Sequence, residues 1–468
     1  MWLALLAACN EPRDAPPKPT EQPVPTPAPV PTPVPVPTAG YAPPPPGTAR
    51  PAADADLTLE GDTDGDLFGD NVEAPGDVNG DGRADAWIGA KGAFYAAGAG
   101  YLYVAPFADA ARVDGELPGD FAGGGLAGPG DVNGDGLADL LIGGKLSDRG
   151  ADAAGAAWLL HGPLSGGGNL ASAAAIFPGE FAGDEAGGSL AGSPDLLLIA
   201  ATAADFGGAG SGSVYLVPTP TIGGPLADHV RLDGLAAGDN CGGTLAFLGD
   251  ISGDGLTDFA VACGGADPGG LTAAGEIWLF THVPAASGPL SIADGRIAGT
   301  EPLQVAGAVA SAGDLTGDGH DDVLVGAPGD AAGGFLAGAA FVLAGPLSGE
   351  VLLTGAVARL QGEAGDWAGF AVGGAGDVDG DGATDALIGG PGAASEAGVA
   401  WWVPGPIAGV SPLADVGGAL TGVAPGDGCG HAVAGLGDAN GDGFADLLIG
   451  GPGAGAGAAY VLFGGPGA

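Results

Sequence analysis

Positive charge is scarce in this chain. Eleven Lys plus Arg stand against 56 Asp plus Glu, giving a formal net charge of -45 over 468 residues. Nucleic acid and anionic membrane surfaces are thereby excluded as partners, because such a field offers phosphate few cations. Aromatic residues make up only 6%, so a core has to be built from Ala, Val, Leu and Ile. The four cysteines, Cys9, Cys241, Cys263 and Cys429, are too few for a disulfide framework and lack the paired spacing of a zinc site. No uncharged apolar run is long enough to cross a bilayer as a helix, and no helical periodicity of useful length is present. His161, His229, His282, His320 and His431 are scattered and no Gly-x-Ser-x-Gly occurs. Nothing thus converges as the acid, base and nucleophile of an enzyme, and no catalytic residue is expected.

Asp and Gly are abundant, and they recur in step. Six stretches read Asp-x-(Asn, Asp, Ser or Thr)-Gly-Asp-Gly-x-x-Asp, beginning at Asp77, Asp131, Asp250, Asp314, Asp377 and Asp438. Oxygen-bearing side chains fall at position 3 (Asn79, Asn133, Ser252, Thr316, Asp379, Asn440), position 5 (Asp81, Asp135, Asp254, Asp318, Asp381, Asp442) and position 9 (Asp85, Asp139, Asp258, Asp322, Asp385, Asp446). Position 7 is Arg83, Leu137, Leu256, His320, Ala383 and Phe444 in turn, so only its backbone carbonyl is common to all copies. A short turn with oxygens at 1, 3, 5, 7 and 9 is how a loop surrounds a hard cation such as calcium. Six calcium sites are therefore expected, with these residues as ligands.

An EF-hand would place Glu at position 12, where this chain has Ile88, Ile142, Val261, Val325, Ile388 and Ile449. The loops run instead into apolar segments such as Asp139-Leu140-Leu141-Ile142-Gly143, which are too short for a helix and suited to buried strands. The loops start 54, 119, 64, 63 and 61 residues apart, and the long gap holds a further unit, Phe181 to Pro218, with Ser193-Pro194-Asp195 where a loop should be. Seven units of about four short strands each are the pattern of propeller blades. A segment at Leu57 to Leu59 resembles the outer segments of later units, and is expected to pair with the last strand, Tyr460 to Phe463, so that no edge is left open.

Opening signatures such as Phe68-Gly69 and Phe121-Ala122-Gly123, the loop, and closing signatures such as Gly326-Ala327-Pro328-Gly329 occur together in order. In this the chain resembles the FG-GAP repeats of the seven-bladed propeller of integrin α chains and of many bacterial surface proteins. The resemblance implies an all-β, seven-bladed propeller of four-stranded antiparallel blades over residues 54–468, with calcium loops. It departs from the family at Cys241-Gly242-Gly243 and Trp367-Ala368-Gly369, which replace Phe-Gly, and no further integrin domain follows. Trp158, Trp278, Trp401 and Trp402 lie on strands and read as core. Cys241 and Cys263 flank one loop, and either a bridge or two buried thiols fits them.

Residues 1–9 end in Leu6-Ala7-Ala8-Cys9, which resembles the lipobox of bacterial lipoproteins and implies lipidation at Cys9. Asn10 after it implies the outer membrane. Residues 10–53 are Pro-rich, as in Pro43-Pro44-Pro45-Pro46, and read as a disordered spacer. The expected protein is a lipid-anchored, calcium-binding module of the bacterial envelope that binds an extracellular protein or glycan. The alternatives are a structural envelope protein and, less favoured, a propeller-based hydrolase or lyase.

Overall fold

Short runs of Val, Ile, Leu and Ala bounded by Gly-rich turns have one way to bury both faces, which is to stack as sheets against further sheets. The computed structural model describes residues 48–107, 110–164, 166–453 and 455–466; Cys9 and linker residues 10–47 lie outside them. Among the described residues the strands form seven sheets. We number these blades 1–7 by their first strands: Phe68–Gly76, Ala122–Gly130, Ala186–Ser193, Cys241–Gly249, Ala308–Ser311, Ala371–Gly376 and Ala432–Gly437. First strands of neighbouring blades touch all the way round, including blade 7 against blade 1, so the ring is closed. Each first strand pairs antiparallel with a second, for instance Leu126 opposite Ile142 and Val433 opposite Ile449. Every residue of the second strands is buried, as in Asp139–Gly144 and Asp446–Gly451, since a blade is covered on both faces. The protein is a seven-bladed β-propeller.

The third strands carry an aromatic residue at one fixed register position: Tyr101, Trp158, Tyr215, Trp278, Phe341, Trp401 and Tyr460 face Ile or Val of the second strand. All seven are buried, as is Trp402, so the tryptophans are core, as expected. In four blades an arginine of the fourth strand lies over an aromatic ring and is anchored by acids. Arg231, for example, sits 3.2 Å from the ring centroid of Phe206 and pairs with Glu180 and Asp233.

The ring closes through the N-terminal segment. Leu57–Glu60 pairs antiparallel with the third strand of blade 7, Thr58 opposite Tyr460, and supplies that blade's fourth strand. Asp56 accepts a hydrogen bond from the Phe463 N–H at 3.0 Å. One correction concerns the boundary at Asp54: Thr48–Pro51 is already a strand and runs parallel to Gly418–Thr421 of blade 6. The propeller thus takes in residues that read as the end of the linker. Four other blades also have a fifth, parallel strand: Gly168–Asn169 on blade 1, Gly288–Pro289 on blade 3, Gly349–Leu352 on blade 4 and Gly409–Pro412 on blade 5. Each of these comes from the connection between the third and fourth strands of the following blade.

Cys241 and Cys263 face one another in register and form a disulfide, which decides between the two readings left open by spacing. Cys429 is buried and free; opposite it stands Gly451, whose position offers no thiol.

One slot of the first strand holds Ala127, Ala191, Ala246, Ala310, Gly373 and Ala434 in six blades but Glu73 in blade 1. Part of Glu73 remains accessible, yet the protein packed around it pushes its carboxyl up to about 7, with a hydrogen bond from the Gly128 backbone opposing. A carboxyl raised in the folded state binds more protons there than in the unfolded chain, so its contribution is present at low pH and is lost as pH rises from about 4.5 through 7. Glu73→Ala is therefore expected to raise the melting temperature at pH 8 and to leave it almost unchanged at pH 4, which paired thermal melts will show.

Candidate metal centre

All six Asp-rich loops join a first strand to a second, so chain direction places them at one end of the propeller. Blade 3 has the tight turn Pro194-Asp195 between Ala186–Ser193 and Leu196–Ala201, as the missing loop implied.

The loops fold alike because the Asp at position 1 organises them. Asp77 accepts hydrogen bonds from the backbone N–H groups of Gly80 (2.6 Å), Asp81 (3.1 Å) and Gly82 (2.7 Å). Asp131, Asp250 and Asp438 repeat all three bonds, and Asp314 and Asp377 repeat two of them. Backbone donors, Gly136 first, hold the Asp131 carboxyl below the usual range. The position 5 carboxylate accepts the position 7 N–H in every loop, from Arg83 to Asp81 at 3.0 Å through Phe444 to Asp442 at 3.0 Å. That bond uses the N–H of position 7 and leaves its carbonyl to a ligand, which is why Arg83, Leu137, Leu256, His320, Ala383 and Phe444 are interchangeable there. Positions 4 and 6 are glycines with positive φ, 82° and 85° at Gly80 and Gly82.

Position 9 is different in kind. Asp85, Asp139, Asp258, Asp322, Asp385 and Asp446 are completely buried at the root of their loops. Each accepts an N–H from loop position 2 or 3. In five blades a second N–H follows from just beyond the third strand, as Gly464 to Asp446 at 2.9 Å. Burial pushes Asp85 and Asp385 up to about 6 and Asp446 up to about 7, with those backbone bonds opposing. A carboxylate that is costly to ionise when buried is one that a nearby cation stabilises.

Two further observations fit a cation. Ser252 Oγ, Asp258 Oδ1 and Thr316 Oγ1, all at expected ligand positions, are buried without a hydrogen-bond partner, a state costly for polar atoms that nothing coordinates. In blade 6, where position 3 is a carboxylate, Asp377, Asp379 and Asp385 each bring an oxygen within 4.8 Å of the others. The donor set is all oxygen and suits calcium. Side chains of positions 1, 3, 5 and 9 and the position 7 carbonyl would hold such a cation, which would tie the loop to the root of its blade.

The opening and closing signatures meet across the blade boundaries. Gly143 in the second strand of blade 2 has no room for a Cβ, which would lie 1.9 Å from the carbonyl oxygen of Gly187 in blade 3; Gly187 itself has φ 87°. Gly89 with Gly123, Gly326 with Gly369, Gly389 with Gly430, and Gly450 with Gly69 repeat this contact. The two glycines of the repeat are thus a single packing device, shared by adjacent blades. The family described as FG-GAP repeat matches residues 306–343 and 430–462. The chain carries FG-GAP repeats. The matched stretches run from the end of one opening segment through the third strand of blades 5 and 7, and the same glycine contacts are found in blades 1, 2, 3 and 6. No curated protein matches the chain.

A second repeated acid escaped the reading of the sequence. Asp66, Asp120, Asp239, Asp366 and Asp427, at the end opposite the loops, each accept the N–H of the residue three positions before, as Leu117 to Asp120 at 2.9 Å. Gln304 does the same work in blade 5 through Thr300 and Glu301. The Gly-Asp that recurs at the start of every unit but the fifth was the available signal. These residues fix the turn from one blade to the next.

Proposed function

We propose that this chain is a calcium-stabilised binding module of the bacterial cell surface, anchored by lipid at Cys9 through its Pro-rich spacer, and that it engages a protein or glycan through the end opposite the calcium loops. The observation that carries this reading is the direction of the first described strand. Thr48–Pro51 runs parallel to the fourth strand of blade 6, and fourth strands run away from the loop end, so the chain enters the propeller at the loop end. The opposite end is then the one presented to partners. Large apolar side chains stand exposed there on connections between strands, among them Tyr95 at 77%, Phe335 at 65% and Phe181 at 52%. The Cys241–Cys263 disulfide suits an oxidising compartment.

The connections Lys145 to Ala154 and Ala266 to Ala274 lie at this end and differ in length and content, as specificity requires. The acidic field favours cationic or neutral partners, or partners bridged by calcium. The test is recovery from envelope and extracellular material by the purified propeller and by a Tyr95→Ser, Phe181→Ser, Phe335→Ser variant. Wild type is expected to retain a ligand at least tenfold better than the variant, with the calcium-dependent melt unchanged. Equal retention would move the interaction face elsewhere, and no retention by either would favour an envelope spacer without a specific ligand.

A further inference from the structure

Neighbouring loops touch one another, and at four of their five junctions a hydrogen bond joins the same two positions. The N–H of Ala138, position 8 of the blade 2 loop, donates to the carbonyl of Asp77, position 1 of the blade 1 loop, at 2.9 Å. Ala445 of blade 7 donates likewise to the carbonyl of Asp377 in blade 6 at 2.9 Å. Thr384 Oγ1 of blade 6 donates to the carbonyl of Asp314 in blade 5 at 2.8 Å. Asp321 of blade 5 accepts the N–H of Asp250 in blade 4 at 3.1 Å. In every case position 8 of one loop holds the backbone of position 1 in the loop before it.

Position 7 adds to this contact. A Cβ built on Gly80, position 4 in blade 1, would meet Leu137 of blade 2 at 3.0 Å. On Gly380 it would meet Phe444 of blade 7 at 2.2 Å, and on Gly441 the Arg83 guanidinium of blade 1 at 3.4 Å. At these three junctions the side chain at position 7, which has no part in its own loop, lies over the glycine of its neighbour, and between blades 7 and 1 this contact is the link. Leu256 of blade 4 has no such glycine to cover. The blade before it has no loop, and Leu256 is 60% exposed.

We propose that the six loops take up cations as one coupled row running from blade 4 through blades 5, 6, 7 and 1 to blade 2, open at blade 3, and not as six independent sites. This rests on the calcium reading above. Position 1 supplies a ligand carboxylate from the residue whose backbone the neighbour holds, and position 8 precedes the ligand at position 9. A cation that fixes one loop therefore orders part of the next, and the second cation meets a smaller ordering cost, which is positive coupling between sites. The interruption at blade 3 makes loops 2 and 4 the ends of the row, with no direct link between them.

Position 8 provides a matched pair of variants. Thr384→Val removes the hydroxyl that joins blades 6 and 5. Thr257→Val makes the same change at position 8 of blade 4, where the side chain is exposed and no preceding loop exists. Calcium titration of the full chain by calorimetry, with terbium luminescence as a second reading, is expected to give a Hill coefficient above 1 for wild type and for Thr257→Val. Thr384→Val is expected to keep the number of ions while its titration flattens and half-saturation rises roughly threefold, the effect of one modest hydrogen bond. Asp381→Ala, which removes one ligand in blade 6, is expected to weaken binding at the remaining loops as well as to delete one ion. Six ions bound with a Hill coefficient of 1, and Thr384→Val indistinguishable from Thr257→Val, would overturn the coupling and leave the calcium sites standing. No binding of calcium or terbium by wild type would overturn the calcium reading itself.

Discussion

Removing calcium with excess chelator is expected to lower the melting temperature by on the order of 10 °C. Extracellular calcium modules bind at about 10⁻⁴–10⁻³ M, and at tenfold excess over that each site adds about 1.4 kcal/mol to the folded state. Six sites then contribute roughly 8 kcal/mol, comparable with the whole stability of an ordinary domain. For a propeller of this size about 1 kcal/mol moves the midpoint by roughly 1 °C, since the unfolding entropy scales with length. The structural basis is the buried root of each loop: six fully buried position 9 carboxylates lose their countercharge together. Magnesium at the same concentration is expected to restore little, because it needs a tight octahedron and gives up its water reluctantly. A melt that is unchanged by chelator would mean that the loops are plain Asp-Gly turns.

Deleting residues 48–60 is expected to abolish cooperative folding. The deletion strips the fourth strand from blade 7 and the fifth from blade 6. It also takes away buried Ala52 and Leu59, which pack with Trp402, Leu420 and Leu462 in one case and with Phe68, Ala459 and Val461 in the other. Exposing the third strand of blade 7 leaves a row of unpaired N–H and C=O groups, a template for aggregation. A synthetic peptide of residues 48–61 added in trans is expected to bind the deleted chain and to restore a single melting transition. A deleted chain that melts like the intact one would show that the ring does not need this closure.

Much of this was legible from residues alone, because the repeat reports on itself. Six copies of one loop separate the positions that carry oxygen from those that do not, and the variable position 7 is as informative as the invariant Asp. The closing strand at Leu57 could be found because it resembles the outer segments of complete units. The fifth strands could not, since pairings such as Gly168–Asn169 are too short to show any alternation of apolar and polar residues. Thr48–Pro51 is hidden for a second reason: its proline continues the composition of the spacer, and Pro is tolerated at a sheet edge. The pairing of Cys241 with Cys263 depends on which residues face one another between two strands, which spacing alone leaves undetermined. The links between loops were illegible because they join positions 8 and 1 of different units, and only the packing of blades brings those together.

The closure between Asp56 and Phe463 spans 407 positions of the chain, and this sets the order in which the fold can be completed. Blades 1 to 6 can each assemble their four principal strands from neighbouring sequence as the chain emerges. Blade 7 cannot, because its outer strand is made first and its other three are made last. The N-terminal segment must therefore wait through the synthesis of nearly the whole propeller, and the final step is the joining of two distant ends of an almost finished ring. Contacts of such long range carry the largest entropy of closure and slow the rate at which a chain folds. Completion of this propeller is accordingly a test of the whole chain: a product truncated before Ala458 lacks the strand with which Leu57–Glu60 must pair.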